Sequence, residues 1–277
     1  MNILKLAAFS DGEIGGNPAG VLISNTLPSR KDMQRIASEV GYSETVFAAQ
    51  QNDGTWLTRY FSPESEVPFC GHATIALGAA LAELTGDGVK PLSLSRAEIT
   101  VEGARMGKLF KATLQSPPTK HETISPDELH SILNLFGYSD DDLNKNIPPA
   151  RIHGGADHVV IALKSRARLA GMKYELSQGR TLMNNSKLVT IMLVWAESES
   201  LFHVRNAFAS GGVLEDPATG AAAAAFAGYL RDRALFKGDE IDIIQGEDMG
   251  SRSLIKANFS NETGSSIRVS GTVRNIQ

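Results

Sequence analysis

Apolar residues recur along this chain with two periods, and the changes between them mark its elements. Alternation typical of half-buried strands runs over Ile3 to Phe9, Thr45 to Ala49, Thr55 to Phe61, Leu109 to Leu114 and Leu201 to Phe208. Asn52-Asp53-Gly54 tolerates positive φ and reads as the turn of a hairpin. Between Asp11 and Gly20 lie four glycines and Pro18, which predicts a loop. The helical period appears at Met33, Ile36, Ala37 and Val40, with Ser29 as a cap and Gly41 as a stop. Further helices are predicted from His72 to Leu84, over Pro126 to Gly137, and from Asp216 to Asp232. Short strands at Val159 to Leu163, Val189 to Val194, Ile241 to Ile244, Ser253 to Ala257 and Ile267 to Val273 complete the reading. Gln115 to Thr123, with Pro117-Pro118, is the best linker.

One loop–helix unit occurs twice. Phe61-Ser62-Pro63 leads through Gly71-His72-Ala73-Thr74 into a helix of small residues, and Phe208-Ala209-Ser210 leads through Asp216-Pro217-Ala218-Thr219 into another. A repeat this far apart predicts two homologous lobes, because solenoids repeat every ~20 to 50 residues. Each helix mouth offers backbone N–H groups with no intrahelical partner, a setting for carboxylates or developing negative charge.

Composition narrows the function classes. With 277 residues, 42% hydrophobic and 21% charged, the chain can bury a substantial core. A net charge of −4 without a basic run argues against nucleic acid, whose phosphates require clustered Lys and Arg. The longest apolar stretch, Ala221 to Leu230, is about half a membrane span. The N-terminus lacks the pattern of a signal peptide, so a cytoplasmic location without membrane association is expected. Cys70 is the only cysteine, which excludes an intrachain disulfide and a two-cysteine racemase. No metal is expected, nor a cofactor, since the phosphate-loop, dinucleotide and nucleophile-elbow motifs are absent.

Three titratable residues sit where chemistry would want them. His72 and Asp216 each stand at a helix entrance, although a structural histidine and an ordinary helix cap are the plainer readings of either alone. Glu44, in Ser43-Glu44-Thr45-Val46-Phe47, lies where an apolar strand begins. Partial desolvation there suits a carboxylate to take and return a proton, and a loop-edge glutamate is the alternative.

Five motifs in order resemble the PhzF-like (phenazine biosynthesis protein) family. They are Gly16-Asn17-Pro18-Ala19-Gly20-Val21, Ser43-Glu44-Thr45-Val46-Phe47, Arg59-Tyr60-Phe61-Ser62-Pro63, Glu66-Val67-Pro68-Phe69-Cys70-Gly71-His72-Ala73-Thr74 and Gly212-Val213-Leu214-Glu215-Asp216-Pro217-Ala218-Thr219-Gly220. The resemblance implies an α+β diaminopimelate-epimerase-like fold of two similar lobes. Each would be a β-barrel-like sheet around a central helix, with the active site in the cleft between them. Lobe boundaries of 1–116 and 122–265 are expected, with a C-terminal strand at about 268–277 returning to the first lobe.

The resemblance also implies cofactor-independent isomerisation by proton transfer on a small carboxylate-bearing substrate, in the phenazine-pathway member trans-2,3-dihydro-3-hydroxyanthranilate. The family's proton-shuttling glutamate falls on Glu44, its assisting histidine on His72 and its assisting aspartate on Asp216. Substrate contacts are expected at Asn17, Ser43, Gly71, Ala73, Thr74, Gly155, Thr219, Gly220 and Ala221, and a homodimer is expected. Two departures touch the expected pocket. Thr219-Gly220-Ala221 stands where many members carry Thr-Gly-Ser, and Phe208-Ala209-Ser210 where many carry Phe-x-Pro. An epimerase or racemase of an amino or hydroxy acid, and a non-catalytic ligand-binding protein, are the alternatives.

Overall fold

Glycine and alanine set how the strands meet the helices in this protein, whose computed structural model describes residues 3–95 and 97–276. Met1, Asn2, Arg96 and Gln277, which the expected lobe boundaries include, lie outside the described residues. The chain divides into two units, Met1–Gln115 with Ser270–Gln277, and Ser116–Val269. Both are mixed α/β.

The first unit contains, in order, β1 (Leu4–Ser10), β2 (Asn17–Ser24), α1 (Arg30–Val40), β3 (Glu44–Gln50), β4 (Trp56–Phe61), β5 (Glu66–Val67), α2 (Gly71–Thr85), β6 (Gly88–Ser93), β7 (Glu98–Met106) and β8 (Leu109–Gln115). Its sheet pairs β1 with β2, β2 with β3 in parallel, and β3 with β4. The parallel pair β4–β6 continues it to β7 and β8. This sheet wraps α2, which touches β1, β2, β3, β6, β7 and β8. A helix surrounded this way has no polar face to spare, and every residue from Gly71 to Ala82 is buried. Close approach requires glycine on both sides: a Cβ on Gly103 would sit 2.1 Å from the Gly78 carbonyl oxygen. On the opposite face, α1 lays Met33, Ile36 and Ala37 against Leu22, Phe47 and Phe61.

Gly20 illustrates the same constraint in a segment whose composition predicts a loop. Asn17 to Gly20 belong to β2, paired in register with β1. A Cβ on Gly20 would lie 2.8 Å from Thr45 Oγ1, so this glycine admits a neighbouring strand. Gly16, at φ 84°, is the residue that turns the chain.

The second unit holds β9 (Lys120–Thr123), α3 (Pro126–Phe136), β10 (Ala150–His153), β11 (Asp157–Ala162), α4 (Arg166–Ala170), α5 (Leu176–Asn185), β12 (Thr190–Ala196) and β13 (Leu201–Ala207). After these come β14 (Glu215–Asp216), α6 (Gly220–Asp232), β15 (Glu240–Gln245) and β16 (Ser253–Asn258). Strands β11 and β12 are parallel, as are β13 and β15. Helix α6 takes the place that α2 has in the first unit, crossing between parallel strands and touching β9, β10, β11 and β16. Gly154 lies against its backbone, where a Cβ would be 2.8 Å from the Ala225 nitrogen. Helices α3 to α5 cover the other face of this sheet, around Ile132, Phe136, Val159, Ile161, Ile191 and Leu193. The last strand, β17 (Arg268–Asn275), pairs antiparallel with β1 through Leu6↔Asn275 and Ala8↔Val273.

Candidate active site

In the first unit, Gly41 ends α1 with φ 73° and turns the chain so that Ser43 and Glu44 arrive at the start of β3. Cys70 is the N-cap residue of α2 and makes no side-chain capping bond, and His72 follows in the first turn. These three segments bring one acid, one imidazole and one thiol together. His72 Nε2 lies 3.3 Å from Glu44 Oε2 and 3.4 Å from Ser43 Oγ, while Nδ1 lies 3.4 Å from Cys70 Sγ. Glu44 is 8% exposed and His72 5%. The contact between them has the distance of an ion pair without the alignment of a hydrogen bond, so Glu44 Oε2 is buried with no hydrogen-bond partner among the described residues. Such an atom carries a desolvation cost of about 1–3 kcal/mol or more. A buried, unsatisfied carboxylate oxygen beside an imidazole and a helix N-terminus is equipped to exchange a proton with a third group.

The other expected contacts of this unit differ in what their side chains can offer. Gly71, Ala73 and Thr74 are buried in the first turn of α2, and the first intrahelical bond is Thr74 N–H to the Cys70 carbonyl. The Thr74 hydroxyl also donates to that carbonyl at 2.7 Å and accepts from Tyr60 Oη at 2.7 Å. It therefore serves the interior of the unit, and burial pushes the Tyr60 phenol well above its ordinary value. Asn17 is buried at the head of β2.

In the second unit, Asp216 stands on β14 immediately before α6. Thr219 Oγ1 donates to Asp216 Oδ2 at 2.5 Å. Gln245, fully buried, donates through Nε2 to the Asp216 carbonyl at 2.7 Å and to Thr219 Oγ1 at 3.0 Å, and its Oε1 accepts from Thr219 N–H at 3.2 Å. The two adjacent carboxylates are thereby separated in role. Glu215 is held by Arg205, whose Nη2 reaches Oε2 at 2.5 Å and whose Nη1 donates to the carbonyl of Ala170. Gly220 is buried, Ala221 and Gly155 are half-buried, and Gly155 turns the chain at φ 104°.

Sequence patterning passed over three buried polar residues on strands of this unit, two of them beside Asp216. Asn206 pairs directly with Asp216 across β13 and β14, is fully buried, and has no hydrogen-bond partner at Nδ2 or Oδ1 among the described residues. Phe202, four positions earlier, packs edge-on against Phe226 of α6, so the alternation of β13 turns Asn206 toward the same helix. His158 opens the inward row of β11. Its Nδ1 lies 2.7 Å from Thr190 Oγ1, its Nε2 has no hydrogen-bond partner among the described residues, and burial pushes it down to about 3. Gln245 ends the inward row Ile241, Ile243, Gln245. In each case the readable signal was a polar residue in an inward, period-two slot of an otherwise apolar strand.

Comparison with known proteins agrees with this architecture. The profile of the PhzC-PhzF family, described as "Phenazine biosynthesis-like protein", matches residues 6–275. A trans-2,3-dihydro-3-hydroxyanthranilate isomerase from Pseudomonas aeruginosa is 32% identical over 280 residues, covering 95% of this chain and 93% of its own. A PhzF-family phenazine biosynthesis protein from Bacillus anthracis superposes with a TM-score of 0.86 at 20% identity, over 99% of this chain and 96% of that one. A protein described as a predicted epimerase from Pseudomonas aeruginosa gives 0.85 at 23% identity, with the same coverage. The fold is the diaminopimelate-epimerase-like one expected from the motifs. Among the described residues no helix is long and apolar enough to cross a membrane. The chain belongs to the phenazine biosynthesis-like (PhzC-PhzF) protein family, and its class of chemistry is that of an isomerase.

Proposed function

We propose that the protein isomerises a small carboxylate-bearing molecule by proton transfer without a cofactor, with Glu44 as the group that removes the proton and returns it to another carbon of the same molecule. The observation that carries this reading is Glu44 Oε2, buried, without a hydrogen-bond partner among the described residues and 3.3 Å from His72 Nε2. A carboxylate oxygen that no hydrogen bond holds and that lies beside an imidazole can lose and regain a proton without breaking a structural network. His72, held between Glu44, Ser43 and Cys70, is its assisting group. Asp216, tied to Thr219 and Gln245, is the acid/base candidate of the second unit. The N-terminus of α2 supplies backbone donors for the substrate's carboxylate or for charge developing beside it.

A second reading, an epimerase, draws support from Cys70 Sγ at 3.4 Å from His72 Nδ1, which places a second proton acceptor at the same helix mouth. The test is turnover on trans-2,3-dihydro-3-hydroxyanthranilate, the substrate named for the Pseudomonas aeruginosa relative, and on a panel of small amino and hydroxy acids. Positional isomerisation with a loss of about 10²- to 10⁴-fold in Glu44→Gln and little change in Cys70→Ser supports the isomerase. Inversion of a stereocentre that Cys70→Ser abolishes supports the epimerase. Full turnover in Glu44→Gln overturns both assignments of the base.

A further inference from the structure

The same three side chains of the first unit have a coordination chemistry that proton transfer does not require. We propose that Glu44, Cys70 and His72 form a binding site for a soft divalent cation, Zn²⁺ in particular, with one coordination position left open. Three observations carry it. One ligand atom from each residue lies within 4.8 Å of the others. His72 Nε2 is 3.3 Å from Glu44 Oε2 and 4.0 Å from Cys70 Sγ. In a tetrahedral zinc site with Zn–N and Zn–O near 2.0–2.2 Å and Zn–S near 2.3 Å, ligand atoms stand about 3.3–3.8 Å apart, so small side-chain rotations close the set around an ion. Finally, Glu44 Oε2 is more than nine-tenths buried, directed at the imidazole and without a hydrogen-bond partner among the described residues.

Charge and softness select the ion. A thiolate and a carboxylate together neutralise a dication, so the occupied site buries no net charge. The sulfur and the imidazole favour Zn²⁺ over Mg²⁺ or Ca²⁺, which prefer oxygen. Cys70, the N-cap residue of α2, makes no side-chain capping bond that an ion would have to displace. An ion held here occupies the carboxylate oxygen assigned above to proton transfer and inhibits turnover until a chelator removes it. Metal binding itself does not depend on that assignment.

The experiment is a titration of the reduced, chelator-treated full chain with Zn²⁺ against a chromophoric chelator, followed by Co²⁺ spectroscopy. One equivalent of Zn²⁺ is expected, indifferent to excess Mg²⁺, and Co²⁺ is expected to give a thiolate-to-cobalt charge-transfer band. Outer-sphere partners of metal sites are worth about 10- to 100-fold in affinity, so loss of a ligand in Cys70→Ser should weaken Zn²⁺ binding by at least about 100-fold and abolish the band. Glu44→Gln should weaken binding with the band retained. His153→Gln, which alters the half-exposed His153–Asp157 pair of the second unit, should change nothing. Circular dichroism of each metal-free variant checks folding, and Cys70→Ala provides a second thiol deletion. The proposal is overturned if no stoichiometric binding occurs, if Cys70→Ser and Cys70→Ala bind as tightly as the parent, or if His153→Gln is the variant that loses the metal.

Discussion

Acid should weaken the second unit through His158. Its imidazole is 1% exposed and bonded to Thr190, and burial holds it near 3 against an ordinary value of 6.5. Folded, it stays neutral down to about pH 3; unfolded, it takes up a proton near 6.5. Below that value the unfolded chain binds more protons, so stability is fully present above about pH 6.5 and is lost progressively as pH falls toward 3. At pH 5 the interval is about 1.5 units, and at 1.36 kcal/mol per unit the loss is about 2 kcal/mol. For a unit of this size that corresponds to a fall of roughly 4–8 °C in melting temperature. A Trp56→Phe background leaves Trp195 as the only tryptophan, on β12 of the second unit, and its fluorescence can follow urea or thermal unfolding at pH 7.5 and 5. His158→Gln keeps a hydrogen-bonding group opposite Thr190 and removes the titration. The difference between the two pH values should shrink by about 2 kcal/mol in that variant. An unchanged difference would refute the reasoning, since some other group would then carry the acid sensitivity.

Other consequences of the packing can be checked alongside. Gly103→Ala would place a Cβ 2.1 Å from the Gly78 carbonyl oxygen and should cost at least about 3 kcal/mol by denaturant unfolding, whereas Gly171→Ala, with its nearest neighbour at 3.3 Å and ordinary φ, should cost less than about 1 kcal/mol. Arg205→Met leaves the buried Glu215 carboxylate without its guanidinium and should destabilise the second unit by about 3–5 kcal/mol, with Glu215→Gln added to the same chain recovering part of it. Gln245→Leu removes both donors and the acceptor that fix Thr219 and the Asp216 backbone; turnover on the identified substrate should fall by more than the stability change accounts for, and an unchanged kcat would separate Asp216 from the chemistry.

What could be read in the sequence follows from how local the governing forces are. Ser29 and Gly41 bracket α1 because capping is decided within a few residues. The repeated loop–helix unit was visible because both central helices must be small on every side, and Gly78 and the alanines of α6 declare this in composition. The β2 strand was missed at Asn17 to Gly20 because glycine signals a turn and a close strand contact with the same letter, and only Thr45 across the sheet distinguishes them. Helix α5 escaped notice because its stabilisation is tertiary: Met183 packs into the apolar layer with α3, while most of the helix is polar. At the candidate site, Glu44 and His72 stood in recognisable motifs, and their 3.3 Å approach is a product of the turn at Gly41 and the start of α2. Asn206, His158 and Gln245 are polar letters inside apolar strands, and their inward direction depends on which face of the sheet the helix covers.

Solvent exchange tests the central assignment most directly. The full chain and its Glu44→Gln variant would be incubated in D₂O with trans-2,3-dihydro-3-hydroxyanthranilate and with a panel of small carboxylic acids, and carbon-bound deuterium followed by proton NMR. The account predicts that the parent places solvent deuterium on a substrate carbon and that Glu44→Gln, folded by circular dichroism, slows this by about 10²- to 10⁴-fold. Exchange at the parent rate in Glu44→Gln would contradict it.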